Sequence, residues 1–312
     1  MALKTQFSLR GRLRSSAWVL LVASAAFVAG CIAVLLFQKE LIFPNAAEGP
    51  MDRPPPPNAK RIWLTAEDGS RVEGWWFPPK RTPAPAVLFI HGNSDYIETR
   101  IEYGDFYQRE GYGALLMEYR GYRRSTGEPS ETVLRRDALA FYDWLTENTE
   151  VDQSRISIHG ASLGGAIAAF VATQRPVQAL ILQGAFTSLP DMFWRYGVPG
   201  FLAQYDFDTE RMLRAGRGPV LILHGEDDEI VPFEHAKRLQ AAAGDDACLS
   251  VIASADHDLP LDWNSFGAEI DAFLQAPGAA AGAAISSCKV RRSPADIRDA
   301  DHVQQSAHRR RE

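Results

Sequence analysis

A serine between two glycines is the residue best placed to do chemistry in this chain. Ser162 is the centre of Gly-Ala-Ser-Leu-Gly at residues 160–164, which follows the G-x-S-x-G pattern of a nucleophile held on a tight turn. The β-prone run 155–158 precedes it and the Ala-rich apolar run 166–173 follows it. Flanking glycines relieve crowding at a strand-to-helix turn, so the sequence predicts that the Ser162 hydroxyl projects from such a turn.

A serine hydroxyl is a weak nucleophile near neutral pH and needs a histidine as general base and a carboxylate that orients it. In this setting the chain order is serine, acid, histidine, which leaves four candidate bases. They are His235, His257, His302 and His308. Only His257 follows a β-prone run, 248–253, by a few residues, whereas His235 falls in a helical pattern and the last two lie in a polar tail. We therefore predict His257 as the base.

Candidates for the acid follow the β-prone run 219–223, where residues 226–229 read Glu-Asp-Asp-Glu. One of these four carboxylates is predicted to complete the triad. Composition does not choose among them, because a solvated turn also accounts for several adjacent acids.

Stabilisation of a tetrahedral oxyanion requires two backbone N–H groups, one after the nucleophile and one in the loop after an early strand. The first is predicted to be that of Leu163. The second is assigned to Asn93, which follows the strand 86–90 and a His-Gly pair. His91 and His224 each end a buried strand, so we expect them to hydrogen-bond loop backbone rather than transfer protons.

From residue 86 onward, short apolar runs alternate with longer helical patterns, which predicts an α/β fold with a mostly parallel sheet and helices on both faces. Predicted strands are 86–90, 113–118, 155–158, 178–182, 219–223 and 248–253, and predicted helices lie near 97–109, 130–147, 163–174, 233–243 and 262–275. Two earlier runs, 61–65 and 71–77, flank an Asp-Gly turn and predict a hairpin. Ligands collect at the carboxyl ends of such strands, where Ser162 is expected.

The N-terminus predicts a membrane segment. Residues 1–16 are basic without an acidic residue, and residues 17–37 are apolar without a charge. At about 1.5 Å per residue this apolar run spans roughly 31 Å, close to the ~30 Å hydrocarbon thickness. We predict a single-pass anchor with a cytoplasmic N-terminus and an exported catalytic domain. Two alternatives stay open: a cleaved signal peptide, and a lipoprotein lipidated at Cys31, which follows Val-Ala-Gly.

Composition sets the remaining divisions and excludes some partners. A Pro-rich linker, 38–60, is expected to lead to the catalytic domain, 61–275, and the Ala/Gly-rich and charged tail 276–312 is expected to be disordered. With 33 basic and 39 acidic residues, the chain is not expected to bind nucleic acid. Its three cysteines show no metal-like spacing, so we expect neither a metal, nor a disulfide framework, nor a cofactor.

Several of these motifs together resemble the α/β-hydrolase superfamily, in particular its branch of small membrane-anchored serine hydrolases with acylglycerol-lipase-like and protein-depalmitoylase-like members. The resemblance covers about residues 37–275. It is carried by Leu-Ile-Phe-Pro at 41–44, His-Gly-Asn at 91–93, Tyr-Arg-Gly-Tyr at 119–122, the serine motif at 160–164 and the segment 224–232. In this family's pattern the acid lies three residues after the His-Gly glycine, which implies Asp228, and the histidine is His257. The entrance loop departs from the pattern at residues 94–96.

The resemblance implies a serine hydrolase that cleaves carboxylic ester or thioester bonds through an acyl-enzyme on Ser162. The segment 183–219 is too short for a large lid domain but is rich in aromatic residues, which suggests a lipid-like acyl substrate and an apolar acyl-binding wall. These residues are Phe186, Phe193, Trp194, Tyr196, Phe201, Tyr205 and Phe207. The alternative is a catalytically inactive hydrolase-fold protein, tethered to the membrane, that serves in binding or as a scaffold.

Overall fold

A computed structural model describes residues 3–47, 49, 53–216, 218–259, 263 and 266–276. The tail predicted to be disordered therefore lies, apart from Ala276, outside the described residues.

An eight-stranded sheet forms the centre of the molecule. Its strands are β1 Lys60–Thr65, β2 Arg71–Phe77, β3 Ala84–Ile90, β4 Gly113–Met117, β5 Val151–Ala161, β6 Leu180–Gln183, β7 Val220–Gly225 and β8 Ala247–Ile252. They lie in the order β1-β2-β4-β3-β5-β6-β7-β8. The hairpin β1–β2 and the pair β2–β4 are antiparallel, and all other pairs are parallel. The predicted mostly parallel sheet is confirmed.

Helices cover both faces of the sheet. The α-helices among the described residues are α1 Leu3–Ile42, which precedes the sheet, and α2 Ile101–Arg109, α3 Glu131–Glu147, α4 Leu163–Gln174, α5 Leu189–Arg195, α6 Thr209–Ala215, α7 Phe233–Ala243 and α8 Phe266–Gln275. Side chains of β3 alternate between two buried clusters, as the strand period of two requires. Leu88 and Ile90 belong to the cluster with α3 and α4, whereas Val87 and Phe89 belong to the cluster with α2 and α8.

The N-terminal helix α1 contains one stretch, Trp18–Ile42, that is long and apolar enough to cross a membrane. The structure differs from the predicted extended linker at its start, because α1 continues to Ile42 and a short 3-10 helix, Pro44–Ala47, follows it. Phe43 is buried and makes edge contacts with the rings of Tyr205 and Phe207. Burial of this ring holds the end of α1 against the domain instead of spacing the domain away from it.

Cysteine usage corrects one expectation. Cys31 is free, but Cys248 is disulfide-bonded. The spacing of the cysteines in the sequence could not exclude a single disulfide, because it tests only for metal ligands and for dense disulfide frameworks.

Candidate active site

Ser162 occupies a strained turn between β5 and α4. Its backbone has φ 51° and ψ −117°, a region that costs a residue other than glycine on the order of 1–3 kcal/mol. The turn is held on both sides, because the Ser162 N–H donates to the Gln183 carbonyl at 2.8 Å and its carbonyl accepts from the Gly165 N–H at 2.9 Å. The strain directs the Ser162 side chain away from the sheet.

The two motif glycines are required by close packing around this turn. A Cβ at Gly160 would lie 2.3 Å from the carbonyl oxygen of Gly164, and a Cβ at Gly164 would lie 2.1 Å from the carbonyl oxygen of Ile90. Because both obstacles are backbone atoms, no side-chain adjustment relieves them. The glycines therefore let α4 approach the end of β3, which places the loop after β3 beside Ser162.

His257 links the predicted nucleophile to the predicted acid. Its Nε2 lies 3.1 Å from Ser162 Oγ, and its Nδ1 lies 2.7 Å from Asp228 Oδ2. The three residues come from the loops after β5, β7 and β8, so they meet at the carboxyl edge of the sheet. The structure brings together all three residues that the sequence assigned to a triad.

Asp228 is fixed as a carboxylate acceptor. Its Oδ1 accepts the backbone N–H groups of Ile230 and Val231 at 2.9 and 2.7 Å. Its Oδ2 lies 2.7 Å from His257 Nδ1 and 3.4 Å from His224 Nε2. Burial would raise the pKa of Asp228, but the hydrogen bonds from His257 and Val231 hold it below its ordinary value. Asp228 is thus arranged to stay ionised and to accept a hydrogen bond from the N–H at Nδ1 of His257.

The two predicted oxyanion donors lie beside Ser162. Asn93 and Leu163 line the same groove as Ser162. Among the described residues no acceptor engages the backbone N–H of either one. Other atoms of Asn93 are engaged: its carbonyl accepts from the Tyr122 hydroxyl at 2.7 Å, and its side-chain Nδ2 donates to the Ile42 carbonyl at 3.1 Å. These bonds fix the loop and do not involve the backbone N–H of Asn93.

A buried pair, His91 and Glu118, supports the loop that carries Asn93. His91 Nε2 lies 2.9 Å from Glu118 Oε1, and His91 Nδ1 lies 2.7 Å from the Gly92 carbonyl. Burial alone would lower the pKa of His91, but the Glu118 carboxylate raises it above its ordinary value. With oxygen acceptors at both ring nitrogens, His91 is suited to donate twice, in keeping with the structural role expected from the sequence.

The remaining described histidines lie away from Ser162 Oγ. His224 Nε2 contacts the Val231 carbonyl at 2.8 Å, which agrees with its expected structural role. His235 lies in α7, with Nδ1 2.8 Å from the Thr187 hydroxyl. His159 is buried between the Tyr107 hydroxyl at Nδ1 and Gln183 Oε1 at Nε2, at 2.8 and 3.1 Å. His302 and His308 lie outside the described residues.

His159 predicts an acid-sensitive contribution to stability. Burial lowers the pKa of His159 to about 3, so between pH 6.5 and about 3 the unfolded chain binds a proton that the folded chain does not. Its contribution to stability is present above pH 6.5 and is lost as the pH falls through that window. His159→Gln should reduce the fall in Tm between pH 7 and pH 5 by a few degrees. Equal falls in both proteins would contradict this assignment.

Two cavities of different character meet at Ser162. The first, of about 350 Å³, is bordered by polar groups including Asp95, Arg100 and Asp258. The second, an apolar groove of about 390 Å³, is lined by aliphatic and aromatic side chains. Ser162 and Asn93 border both. The spaces on the two sides of Ser162 therefore differ in polarity.

The polar cavity contains groups that the sequence did not single out. Arg100 Nη2 lies 2.6 Å from Asp95 Oδ1, while Asp95 Oδ2 accepts the Gly92 N–H at 3.1 Å. The departure from the family pattern at residues 94–96 thus supplies an acid that connects the loop of Asn93 to Arg100. Asp95 is visible in the sequence as a charge in this entrance loop, but its pairing with Arg100 depends on the fold.

Only some of the aromatic residues predicted to form an acyl-binding wall line the apolar groove. Phe186, Phe193 and Tyr196 line the groove, whereas Trp194 and Phe201 are exposed outside it. Tyr205 and Phe207 do not line it and instead contact the ring of Phe43. Three α1 residues also line the groove, and the sequence did not indicate them. They are Val34, Leu41 and Ile42.

A mostly parallel sheet with a serine on a strained strand-to-helix turn defines the class of α/β hydrolases. Comparison with known proteins agrees. The family described as "alpha/beta hydrolase fold" matches residues 85–215. An uncharacterized protein of Mycobacterium tuberculosis is 34% identical over 247 residues, which are 77% of this chain and 88% of that protein. The chain belongs to the α/β-hydrolase superfamily.

Two further similarities, one in sequence and one in fold, agree with this assignment. The alpha/beta hydrolase domain-containing protein WAV2 of Arabidopsis thaliana is 34% identical over 244 residues, which are 69% of this chain and 79% of WAV2. The esterase Pf2001 of Pyrococcus furiosus superposes with a TM-score of 0.58 at 17% identity, over 72% of this chain and 98% of the esterase. The superposition on this esterase shows that the two chains share a fold.

Proposed function

We propose that this chain is a serine hydrolase that cleaves carboxylic ester or thioester bonds through an acyl-enzyme on Ser162. The observation that carries the proposal is the continuous chain of contacts from Ser162 Oγ through His257 to Asp228, at 3.1 and 2.7 Å. Both distances lie within hydrogen-bond reach, as general-base activation requires. A third group, Asp228, orients the base.

In the first half of the reaction, His257 Nε2 removes the proton from Ser162 as Oγ attacks the substrate carbonyl carbon. Asp228 keeps the other proton on Nδ1 and stabilises the imidazolium that forms. The backbone N–H groups of Asn93 and Leu163 receive the negative charge on the carbonyl oxygen. Collapse of the tetrahedral intermediate expels the alcohol or thiol, which takes its proton from His257.

In the second half, water replaces the leaving group. His257 removes a proton from that water as it attacks the acyl-enzyme carbonyl, and the same two N–H groups hold the second oxyanion. Breakage of the bond to Oγ releases the carboxylic acid and returns the proton to Ser162. Every step uses side chains or backbone of this chain and one water molecule.

A lipophilic acyl group is the part of the substrate that the apolar groove best accommodates. The groove is lined mainly by apolar side chains, among them Phe186, Leu189 and Phe193, and it ends at Ser162. Binding there would remove an acyl chain from water, at a gain of about 0.8 kcal/mol for each buried methylene. The polar cavity on the other side of Ser162 is suited to the leaving group.

The domain is proposed to act on the exported side of a membrane, on a single-pass anchor with a cytoplasmic N-terminus. The basic residues 1–16 before the apolar stretch support this orientation. Burial of Ile42 and Phe43 against the domain supports a helix that is retained rather than discarded. Cleavage as a signal peptide and lipidation at Cys31 are the alternatives to this arrangement.

Labelling of the full chain in detergent with a fluorophosphonate probe tests the nucleophile. Because the probe is attacked by an activated serine and loses fluoride, the wild-type chain should be labelled stoichiometrically and Ser162→Ala should not be labelled. Ser154→Ala removes an exposed serine of β5 and is the matched control that should keep full labelling.

The same experiment decides between the two candidate functions. A folded wild-type chain that takes up no probe would identify the inactive, membrane-tethered binding protein. Labelling that persists in Ser162→Ala would mean that another residue is the nucleophile.

A further inference from the structure

We propose that the membrane helix α1 forms one wall of the acyl-binding groove, so that the enzyme takes long-chain acyl substrates from the bilayer rather than from water. The inference rests on the proposed function, because it assigns the substrate class of the same serine. Val34, Leu41 and Ile42 of α1 line the groove that ends at Ser162. The element that anchors the protein therefore also contacts the substrate.

The groove extends along α1 past residue 37, where the uncharged apolar run 17–37 of the sequence ends. Residues 38–40 are Gln, Lys and Glu, the first polar residues after that stretch. Val34 lies four residues before Gln38, about 6 Å deeper along the helix axis, and Ile42 lies four residues beyond it, about 6 Å on the other side. A groove lined by both residues reaches from the hydrocarbon level of the membrane to the catalytic domain. An acyl chain that enters the groove from the bilayer reaches Ser162 along apolar side chains.

Specific hydrogen bonds hold α1 in this position. Gln38 is buried, and its Nε2 donates to the Leu202 carbonyl at 3.3 Å while its Oε1 accepts the Gln204 N–H at 2.8 Å. The Asn93 side chain donates to the Ile42 carbonyl, which connects the end of α1 to the loop of the proposed oxyanion donor. The position of the groove wall is therefore coupled to the site of bond cleavage.

Exposed aromatic residues continue this surface beside α1. Trp194 and Phe201 are 58% and 80% exposed and contact each other edge to face at 6.5 Å between ring centroids. Phe201 directly precedes Leu202, whose carbonyl accepts from Gln38 at the polar end of the apolar stretch. Aromatic side chains are favoured at the membrane interface. These two rings are thus placed to contact lipid at the level where the groove opens.

Narrowing the groove from the α1 side tests the inference. The full chain in phosphatidylcholine vesicles is assayed with p-nitrophenyl hexadecanoate and p-nitrophenyl butanoate. Val34→Trp should lower the ratio of kcat/KM for the long ester to that for the short ester by about tenfold or more, because the indole occupies space that only the long chain needs. Leu41→Trp should lower it in the same direction. Leu41 is 63% exposed at the rim, so this second variant adds little strain to the fold.

Leu36→Trp is the matched control. Leu36 lies on α1 between the two test positions but is 69% exposed and does not line the groove. Its variant should keep the wild-type ratio within about twofold. An unchanged ratio in both Val34→Trp and Leu41→Trp, or an equal fall in Leu36→Trp, would overturn the inference while leaving the esterase intact. Absence of hydrolysis of both esters by the wild-type chain would instead overturn the proposed function.

Discussion

Replacing His257 by alanine should lower kcat for ester hydrolysis by about 10³ or more, with a much smaller change in KM. His257 Nε2 lies 3.1 Å from Ser162 Oγ, and among the described residues no other histidine contacts this hydroxyl. Without the imidazole, the serine proton has no acceptor during attack and the leaving group has no acid. Steady-state kinetics of the full chain with a soluble short-chain ester measures the loss.

A control for this variant lies three residues before the nucleophile. His159→Gln removes an imidazole that is closer to Ser162 in sequence than His257 is, but that contacts Tyr107 and Gln183 instead of the hydroxyl. We expect it to retain activity within about tenfold, the loss coming from packing alone. If His159→Gln and His257→Ala lost activity equally, the assignment of the base would be wrong.

The fold was predictable because the central strands are buried on both faces and therefore read as short continuous apolar runs. The run predicted at 86–90 lies within β3, and that at 219–223 overlaps β7. Boundaries were accurate where residues with fixed backbone preferences mark them. The helix predicted at 233–243 has the bounds of α7, because Pro232 precedes its first turn and Gly244, with φ 70°, ends it.

The acid could not be chosen from composition, because the choice depends on which carboxylate the turn after β7 directs inward. Glu226, Asp227 and Glu229 are exposed, while Asp228 is buried against His257. The family resemblance supplied that choice, since it encodes the turn geometry that composition lacks. A geometric role of this kind becomes visible only when the distance from each carboxylate to His257 is known.

The contribution of α1 to the groove could not be predicted for a different reason. An apolar helix shows no pattern that distinguishes its lipid-facing side from its protein-facing side, since both are aliphatic. Gln38 is a signal in the sequence, because this uncharged polar residue is followed three positions later by apolar Leu41, Ile42 and Phe43. That return to apolar residues indicates contact with protein, but not with which part of it.

Replacing Asp228 by asparagine should lower kcat by about 10³–10⁴ without unfolding the chain. The backbone N–H groups of Ile230 and Val231 both donate to Oδ1 and will hold the amide oxygen there. The amide NH₂ must then face His257 Nδ1, so it donates a hydrogen bond where the carboxylate accepted one. This selects the imidazole tautomer that carries its proton on Nε2, which cannot accept the proton of Ser162.

The neighbouring acid provides the matched comparison. Asp227→Asn makes the same chemical change one residue earlier, on an exposed side chain, and should leave kcat within about twofold of wild type. Fluorophosphonate labelling should slow in Asp228→Asn to the same extent as turnover, because both depend on removal of the serine proton. Equal kcat losses in the two variants would contradict this explanation. They would show that the turn contributes to catalysis through its net charge rather than through the tautomer of His257.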